Sequence, residues 1–337
     1  MSVRTALAQH VDHFELESGA VLRDVRQTYF LDGELNASRD NLIVIFHALT
    51  GSADAAGDWW RGLIGPGRTL DTERYAVLCT NLLGSCYGTT GPWEAERLPF
   101  PAITPRDQAR LIHGLVHELG AESVALAVGG SLGGMVALEW AASFPALTRT
   151  TVSLAAPAAH TASAIAWSHI QRRILDAAGA EGLAIARMVA MMTYRTPEEF
   201  EQRFGRETAE VDGYQVASYL SHHGRKLTAR FDTASYLTLL GAMDAHDVAR
   251  GRGGMAEALG TATGRGRLIG VGIAGDRLYS EHDVRTWVEA AGAEYREIRS
   301  IYGHDAFLLE LEQVASILAD ALEESMVPVL ASKRGSK

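Results

Sequence analysis

SVALAVGGSLGGMVALEW, residues 123–140, is a nearly unbroken apolar run that holds four glycines and one internal serine, Ser131. Three readings compete for it: a membrane span, a helix-packing site, or a turn that presents Ser131 to a substrate. Gly130 and Gly134 form the GxxxG pair of membrane helices. Against a span, Glu139 lies inside the run, Glu122 borders it, and the glycines interrupt its middle. The pattern also changes at the glycines, from small and β-branched residues to helical spacing. That change predicts a strand, a sharp turn and a helix.

Gly129-Gly130-Ser131-Leu132-Gly133 fits G-x-S-x-G at the predicted turn. Between a strand and a helix this pattern is a nucleophile elbow, which lifts the serine hydroxyl above the sheet while glycines admit the tight bend. The plainer alternative is a Gly-rich turn packing helix on strand. A serine hydroxyl is a poor nucleophile at neutral pH, so a base must stand beside it and an acid must orient the base. On such a sheet both follow later strands, in the order serine, acid, histidine. Asp276 leaves the run RLIGVGIA (267–274), and His304 leaves AEYREIRS (293–300). Each alone reads as a turn aspartate or a helix-capping histidine; their joint placement makes Asp276 the expected acid and His304 the expected base. A tetrahedral oxyanion needs two backbone N–H donors. Leu132 is one expected donor. Leu49 of HALTG (47–51) is the other, with Ala48 as the alternative.

Outward from the elbow, further short apolar runs stand between turn residues: NLIVIF (41–46), YAVLCT (75–80) and TRTTVSLA (148–155). Runs apolar on both faces imply a parallel sheet covered by helices. Residues 12–32 read as a hairpin around Ser18-Gly19. Thr104-Pro105-Arg106-Asp107 is a capping box that opens a helix ending near Gly120. Further helices are expected after Ser131, near Ser280, and from about Ala306 to Glu323. The alternation is that of a doubly wound α/β sheet. It fails between about 158 and 266, a stretch of helical composition, and resumes afterwards. The chain therefore divides into a first core segment (1–157), a helical lid insertion (158–266) and a second core segment (267–337).

The 337 residues carry a net charge of −10, which argues against nucleic acid and anionic membrane surfaces as partners. Two cysteines, Cys79 and Cys86, give no disulfide framework, and the N-terminus has no signal-peptide core, so a cytoplasmic location is expected. GVGIAG (270–275) matches GxGxxG, but its glycines fall inside a strand and not in the turn that opens a helix. His113 and His117 have metal-ligand spacing without the glutamate of HExxH, and His222-His223 lacks a third ligand, so no metal site is expected. RGRGG (250–254) and GRGR (264–267) read as a solvated loop ending the insertion.

HALTG (47–51), GLIGPGRTLDTERYAVLCTNLLGSCYGTTGP (62–92), VGGSLGGMVALEW (128–140), SYLSHHGRKLTARFDTASYLTLLGAMDAHDVARGRGG (218–254) and GHDAFLLE (303–310) together resemble the homoserine O-acetyltransferases. The resemblance runs from about residue 40 to 312. It implies the α/β-hydrolase fold, here a mostly parallel eight-stranded sheet with helices on both faces and a helical lid. It also implies acyl transfer from acetyl-CoA to the hydroxyl of L-homoserine in methionine biosynthesis, with no bound cofactor, and a homodimer joined through the lid. The family's nucleophile, acid and base fall on Ser131, Asp276 and His304. Its amino-acid-binding positions fall on Arg187, Tyr194 and Asp305: an arginine suits the substrate carboxylate and an aspartate its ammonium group. Leu132 stands where the family usually has methionine, and the lid is shorter between QRRIL (171–175) and GLAIAR (182–187). Related enzymes use succinyl-CoA or acylate L-serine, and these remain alternatives. A serine esterase or thioesterase with water as acceptor is the rival enzyme. A non-catalytic binding protein on the same scaffold is the rival from another class.

Overall fold

The computed structural model describes residues 4–210 and 213–323; positions 1–3 and 324–337 of the expected core segments lie outside the described residues. The predicted hairpin is present as β1 (Leu7–Glu15) and β2 (Val21–Asp32), antiparallel to each other, and it starts before residue 12. The apolar runs form β3 (Leu42–Phe46), β4 (Ala76–Thr80), β5 (Val124–Gly130), β6 (Thr148–Leu154), β7 (Arg267–Ile273) and β8 (Glu294–Ile298). Together they make one eight-stranded sheet in the order β1-β2-β4-β3-β5-β6-β7-β8. Pairing is parallel from β4 across to β8. Every residue of β3, β4 and β5 is buried, as a sheet covered on both faces requires.

One face carries α1 (Pro105–Glu118), α2 (Leu132–Ser143), α8 (Met255–Thr263) and α9 (Glu281–Ala291). The capping box that starts α1 is present, Thr104 and Asp107 exchanging bonds. Residues Leu132 to Ala141 of α2 are all buried, because α2 lies between the sheet, α1 and α8. A helix covered all round has no need of a polar face, and this is why its sequence imitates a membrane span. Among the described residues no helix is long and apolar enough to cross a membrane. Glu139, the charge in that run, is 1% exposed and is met by Arg106 at 3.0 Å and Arg252 at 2.7 Å. RGRGG is exposed, as expected of a solvated loop, except at Arg252, which is partly buried. Arg252 neutralises a buried carboxylate, and Arg250 makes a two-pronged pair with Glu17 at 3.1 and 2.8 Å.

The other face carries Trp60, Leu63, Ile64 and Leu70 of a turn-rich segment, and α11 (Leu311–Glu323). The helix expected over 306–323 is broken: α10 (Ala306–Leu309) stops at Glu310 before α11 begins.

Between β6 and β7 lie α3 (Ala162–Ala178), α4 (Gly182–Tyr194), α5 (Pro197–Phe204), α6 (Gln215–Thr228), α7 (Thr233–Asp244) and then α8. The two crossings of this segment meet in a short antiparallel neck, where His160 N–H donates to His246 O and Val248 N–H to Ala158 O. His246 is wholly buried; desolvation lowers its pKa to about 3, so the ring is neutral and its Nε2–H donates to the Pro157 carbonyl at 3.1 Å. Past the neck, α8 packs on α2, α9 and β7, putting Leu259 and Ala262 against Trp287. The helical cap is thus the part distal to the neck, α3 to α7, and α8 belongs to the sheet layer.

Candidate active site

The parallel strands β3, β5, β7 and β8 end near one another, and each delivers one element of the site. Ser131 follows β5 with φ 58° and ψ −124°, a left-handed conformation that a non-glycine residue adopts only under constraint from its surroundings. The neighbouring glycines do not relieve that bend, since none of Gly129, Gly130, Gly133 or Gly134 has positive φ. They are small for close approach. A Cβ on Gly129 would collide with the Gly133 carbonyl, one on Gly133 with the Phe46 carbonyl, and one on Gly130 would lie 2.6 Å from the Phe307 ring. The elbow's strain is carried by the serine itself.

His304 Nε2 stands 2.9 Å from Ser131 Oγ, and His304 Nδ1 stands 2.7 Å from Asp276 Oδ2. All three residues are buried. The Asp276 Oδ1 atom accepts from the backbone N–H groups of Leu278 (2.8 Å) and Tyr279 (3.1 Å), which turns Oδ2 toward the imidazole. Burial would lower the His304 pKa, but the adjacent Asp276 charge and hydrogen bond, helped by Asp305, hold it above the ordinary imidazole value. A base raised in this way takes a proton readily near neutrality.

Leu49 and Leu132, the expected oxyanion donors, are both buried. The peptide of Leu49 is fixed from its other side. The Ala48 carbonyl accepts from Gly51 N–H at 2.9 Å and lies 2.8 Å from His47 Nδ1. His47 Nε2 accepts from Leu82 N–H at 3.0 Å. With desolvation lowering its pKa to about 4, the ring is neutral and Nδ1 is the donor to Ala48. In a trans peptide C=O and N–H point opposite ways, so locking the Ala48 carbonyl turns the Leu49 N–H outward from that bond. The HALTG motif drew attention for Leu49; the structure adds His47, whose place directly after β3 is the signal for it.

Arg187 stands over the Tyr194 ring at 5.1 Å, and that ring lies 5.7 Å from the His304 ring. Desolvation raises the Tyr194 hydroxyl above the usual phenol range, leaving it an un-ionised donor. Asp305 has a partner that the sequence did not announce: Arg195 Nε lies 3.1 Å from its Oδ2. Arg195 is itself buried and also lies 3.9 Å from Glu199, while Thr196 Oγ1 donates to the Ile301 carbonyl. The α4–α5 junction is thereby tied to the loop that carries His304. No spacing rule links residues so far apart in the chain.

A small cavity of about 20 Å³ is lined by Leu49, Trp167, Tyr194, Leu240, Met243 and Tyr279, among others. Two of its lining residues, His160 and Tyr279, belong to a chain of polar contacts that runs on to Asp244 and Arg172. The Tyr279 hydroxyl is 2.9 Å from His160 Nε2, His160 Nδ1 is 3.0 Å from Asp244, and Asp244 pairs with Arg172. A larger cavity of about 630 Å³ lies elsewhere, on Phe100, Ile103, Leu237 and Gly241, and its charged groups Glu17 and Arg250 are paired with each other. The smaller one is the cavity beside the chemistry. Of the other motifs, Gly270 and Gly272 admit Val288 and Trp287 and the Tyr295 ring beside β7, and His113 stacks on Phe144 at 3.9 Å.

A mostly parallel sheet with a strained serine on a strand–helix turn, backed by a histidine and an aspartate from later strands, defines a protein of the α/β-hydrolase fold. A family model described as alpha/beta hydrolase fold matches residues 41–177. The homoserine O-acetyltransferase of Thermus thermophilus is 43% identical, over 90% of this chain and 88% of that protein. The crystal structure of homoserine O-acetyltransferase from Staphylococcus aureus superposes with a TM-score of 0.83 at 29% identity, covering 94% of this chain and 95% of that one. Esterase E22 superposes as well, at TM-score 0.84, covering 94% of this chain and 99% of that one, but at 18% identity it shares the fold alone. The chain belongs to the homoserine O-acetyltransferase family, acyltransferases built on this fold.

Proposed function

We propose that the protein transfers an acetyl group from acetyl-CoA to the side-chain hydroxyl of L-homoserine through an acyl-Ser131 intermediate, a step of methionine biosynthesis. The observation that carries the reading is the unbroken line Ser131 Oγ, His304, Asp276 at 2.9 and 2.7 Å. His304 Nε2 takes the Ser131 proton as Oγ attacks the thioester carbonyl carbon. The oxyanion rests on the N–H groups of Leu132 and Leu49. The C–S bond breaks, His304 returns the proton to the CoA sulfur, and CoA leaves. The homoserine hydroxyl then gives its proton to His304 and attacks the acyl carbon; the bond to Oγ breaks and Ser131 regains a proton.

Arg187 receives the homoserine carboxylate, Tyr194 donates beside it, and Asp305, steadied by Arg195, receives the ammonium group. Water as acceptor needs no such zwitterion clamp. The cavity next to Leu49 favours acetyl over succinyl because it is small, about 20 Å³. We infer a homodimer through the cap, supported by Ile165, Ile170 and Met192, which are large, apolar and exposed on α3 and α4. We place the reaction in the cytoplasm, where the free thiols of Cys79 and Cys86 stay reduced.

The deciding experiment is thiol release from acetyl-CoA and from succinyl-CoA, each with L-homoserine, L-serine or no acceptor. Sustained release only with acetyl-CoA plus L-homoserine is expected. Release beyond one burst per enzyme with no acceptor would make the protein a thioesterase.

A further inference from the structure

We propose that Arg230 is a positioning residue for the oxyanion turn, a strut from the cap that holds residues 48–51 in the shape acylation needs; this rests on the acyl-Ser131 reading above. The turn is closed at one end by the Ala48 carbonyl, held by Gly51 N–H and the His47 ring. Towards its other end the turn is met from the cap. There the Thr50 carbonyl accepts from Arg230 Nη1 at 2.7 Å, and Arg230 Nη2 lies 3.4 Å from Thr50 Oγ1. The same Nη1 donates to the Tyr87 hydroxyl at 2.5 Å. All these bonds go to uncharged oxygens, so the guanidinium acts as a planar fork and not as half of an ion pair.

The fork stands on firm ground. Its neighbour Phe231 is buried and meets the Tyr87 ring edge-on at 5.6 Å, and Asp232 caps α7 by accepting from Ser235 N–H at 2.7 Å. The turn between α6 and α7 is therefore anchored to the core, and Arg230 carries that anchorage to the residue next to Leu49. An oxyanion donor must already be in place when charge develops, and a displacement of about 1 Å costs on the order of a hundredfold in rate.

The test is stopped-flow acylation of R230A and R230K by two donors, acetyl-CoA and p-nitrophenyl acetate, the second of which lacks phosphates. R230A is expected to slow both donors by the same factor, about 10–100-fold, with the KM for L-homoserine and the melting temperature unchanged. R230K, which keeps one donor for the Thr50 carbonyl, is expected to recover part of the rate. A loss confined to acetyl-CoA and expressed in its KM would overturn the proposal in favour of a phosphate contact, and an unchanged rate with both donors would overturn it outright. Hydrogen exchange of residues 47–51 supplies a readout independent of activity: the Gly51 amide should exchange faster in R230A, and equal exchange would overturn the strut. Should the wild type give no burst with either donor, the acyl-enzyme reading fails while the exchange result still decides the role of Arg230.

Discussion

The loops that follow β3 and β8 each contain a buried histidine, His47 and His304, and the two are driven in opposite directions. His47 is fully enclosed and meets only uncharged groups, the Ala48 carbonyl, the Leu82 N–H and the Asn81 side chain; desolvation takes its pKa down to about 4. His304 is 2% exposed and suffers the same desolvation, yet the Asp276 carboxylate 2.7 Å from its Nδ1 more than offsets it. Burial by itself yields an inert, neutral ring that can brace a turn. Burial beside a held carboxylate yields a base. The difference between a strut and a proton carrier lies in one neighbour.

The comparison breaks first at His304 and Ser131. H304A or S131A should lower turnover by about a millionfold, the scale of the subtilisin triad, read as thiol release from acetyl-CoA; a loss of only tenfold would remove both from the chemistry. D276N makes His304 more like His47. It should cost about 10⁴-fold in turnover, and it should move the pH inflection of acylation. In the wild type the rate rises with pH through an inflection above 6.5, because the unprotonated ring is the base and its proton is held more tightly. In D276N the inflection should fall below that of the wild type; an unmoved inflection would deny Asp276 its electrostatic role.

H47A tests the strut side. It leaves the Leu82 N–H without its partner and the Ala48 carbonyl with the Gly51 N–H alone, which lets the Leu49 peptide turn, so acylation should slow by about 10²-fold while the inflection stays where it was. R187A should raise the KM for L-homoserine by about tenfold or more and leave the acylation burst intact; equal loss in both half-reactions would argue against the clamp. The smallest expected effect is on stability. Below pH 6.5 the unfolded chain protonates His47 and the folded one does not until about pH 4, so stability falls with falling pH across that window. Each such histidine contributes a slope of about 1.4 kcal/mol per pH unit, and His246 adds its own down to about pH 3. Urea midpoints between pH 6.5 and 4 should show a shallower slope in H47A.

Much of this arrangement is legible in one dimension because the rules that create it are local. Alternating apolar runs and turn residues announce the strands, and the glycines around Ser131 announce a bend. The order serine, aspartate, histidine follows from strand ends on a parallel sheet. Reading stops where partners come from distant segments. RGRGG is the solvated loop it reads as, but nothing in its spacing announces that Arg252 reaches the buried Glu139. The insertion expected over 158–266 reads as one helical unit, and its sequence does not announce that α8 packs on α2, α9 and β7. In sequence the glycines of the elbow read as conformational freedom, whereas they make room for backbone and ring atoms from Phe46 and Phe307.

The sequence by itself determined the strand order's raw material, the elbow and which three side chains to look for, since periodicity and turn chemistry act over a few residues. Tertiary structure alone decided which partners the other polar groups meet: backbone and Asn81 for His47, Arg195 for Asp305, Thr50 for Arg230. Those pairings set charge and position at the site. They depend on distances between residues far apart in the chain, and in a low-dielectric interior the identity of the nearest partner outweighs everything a side chain brings with it.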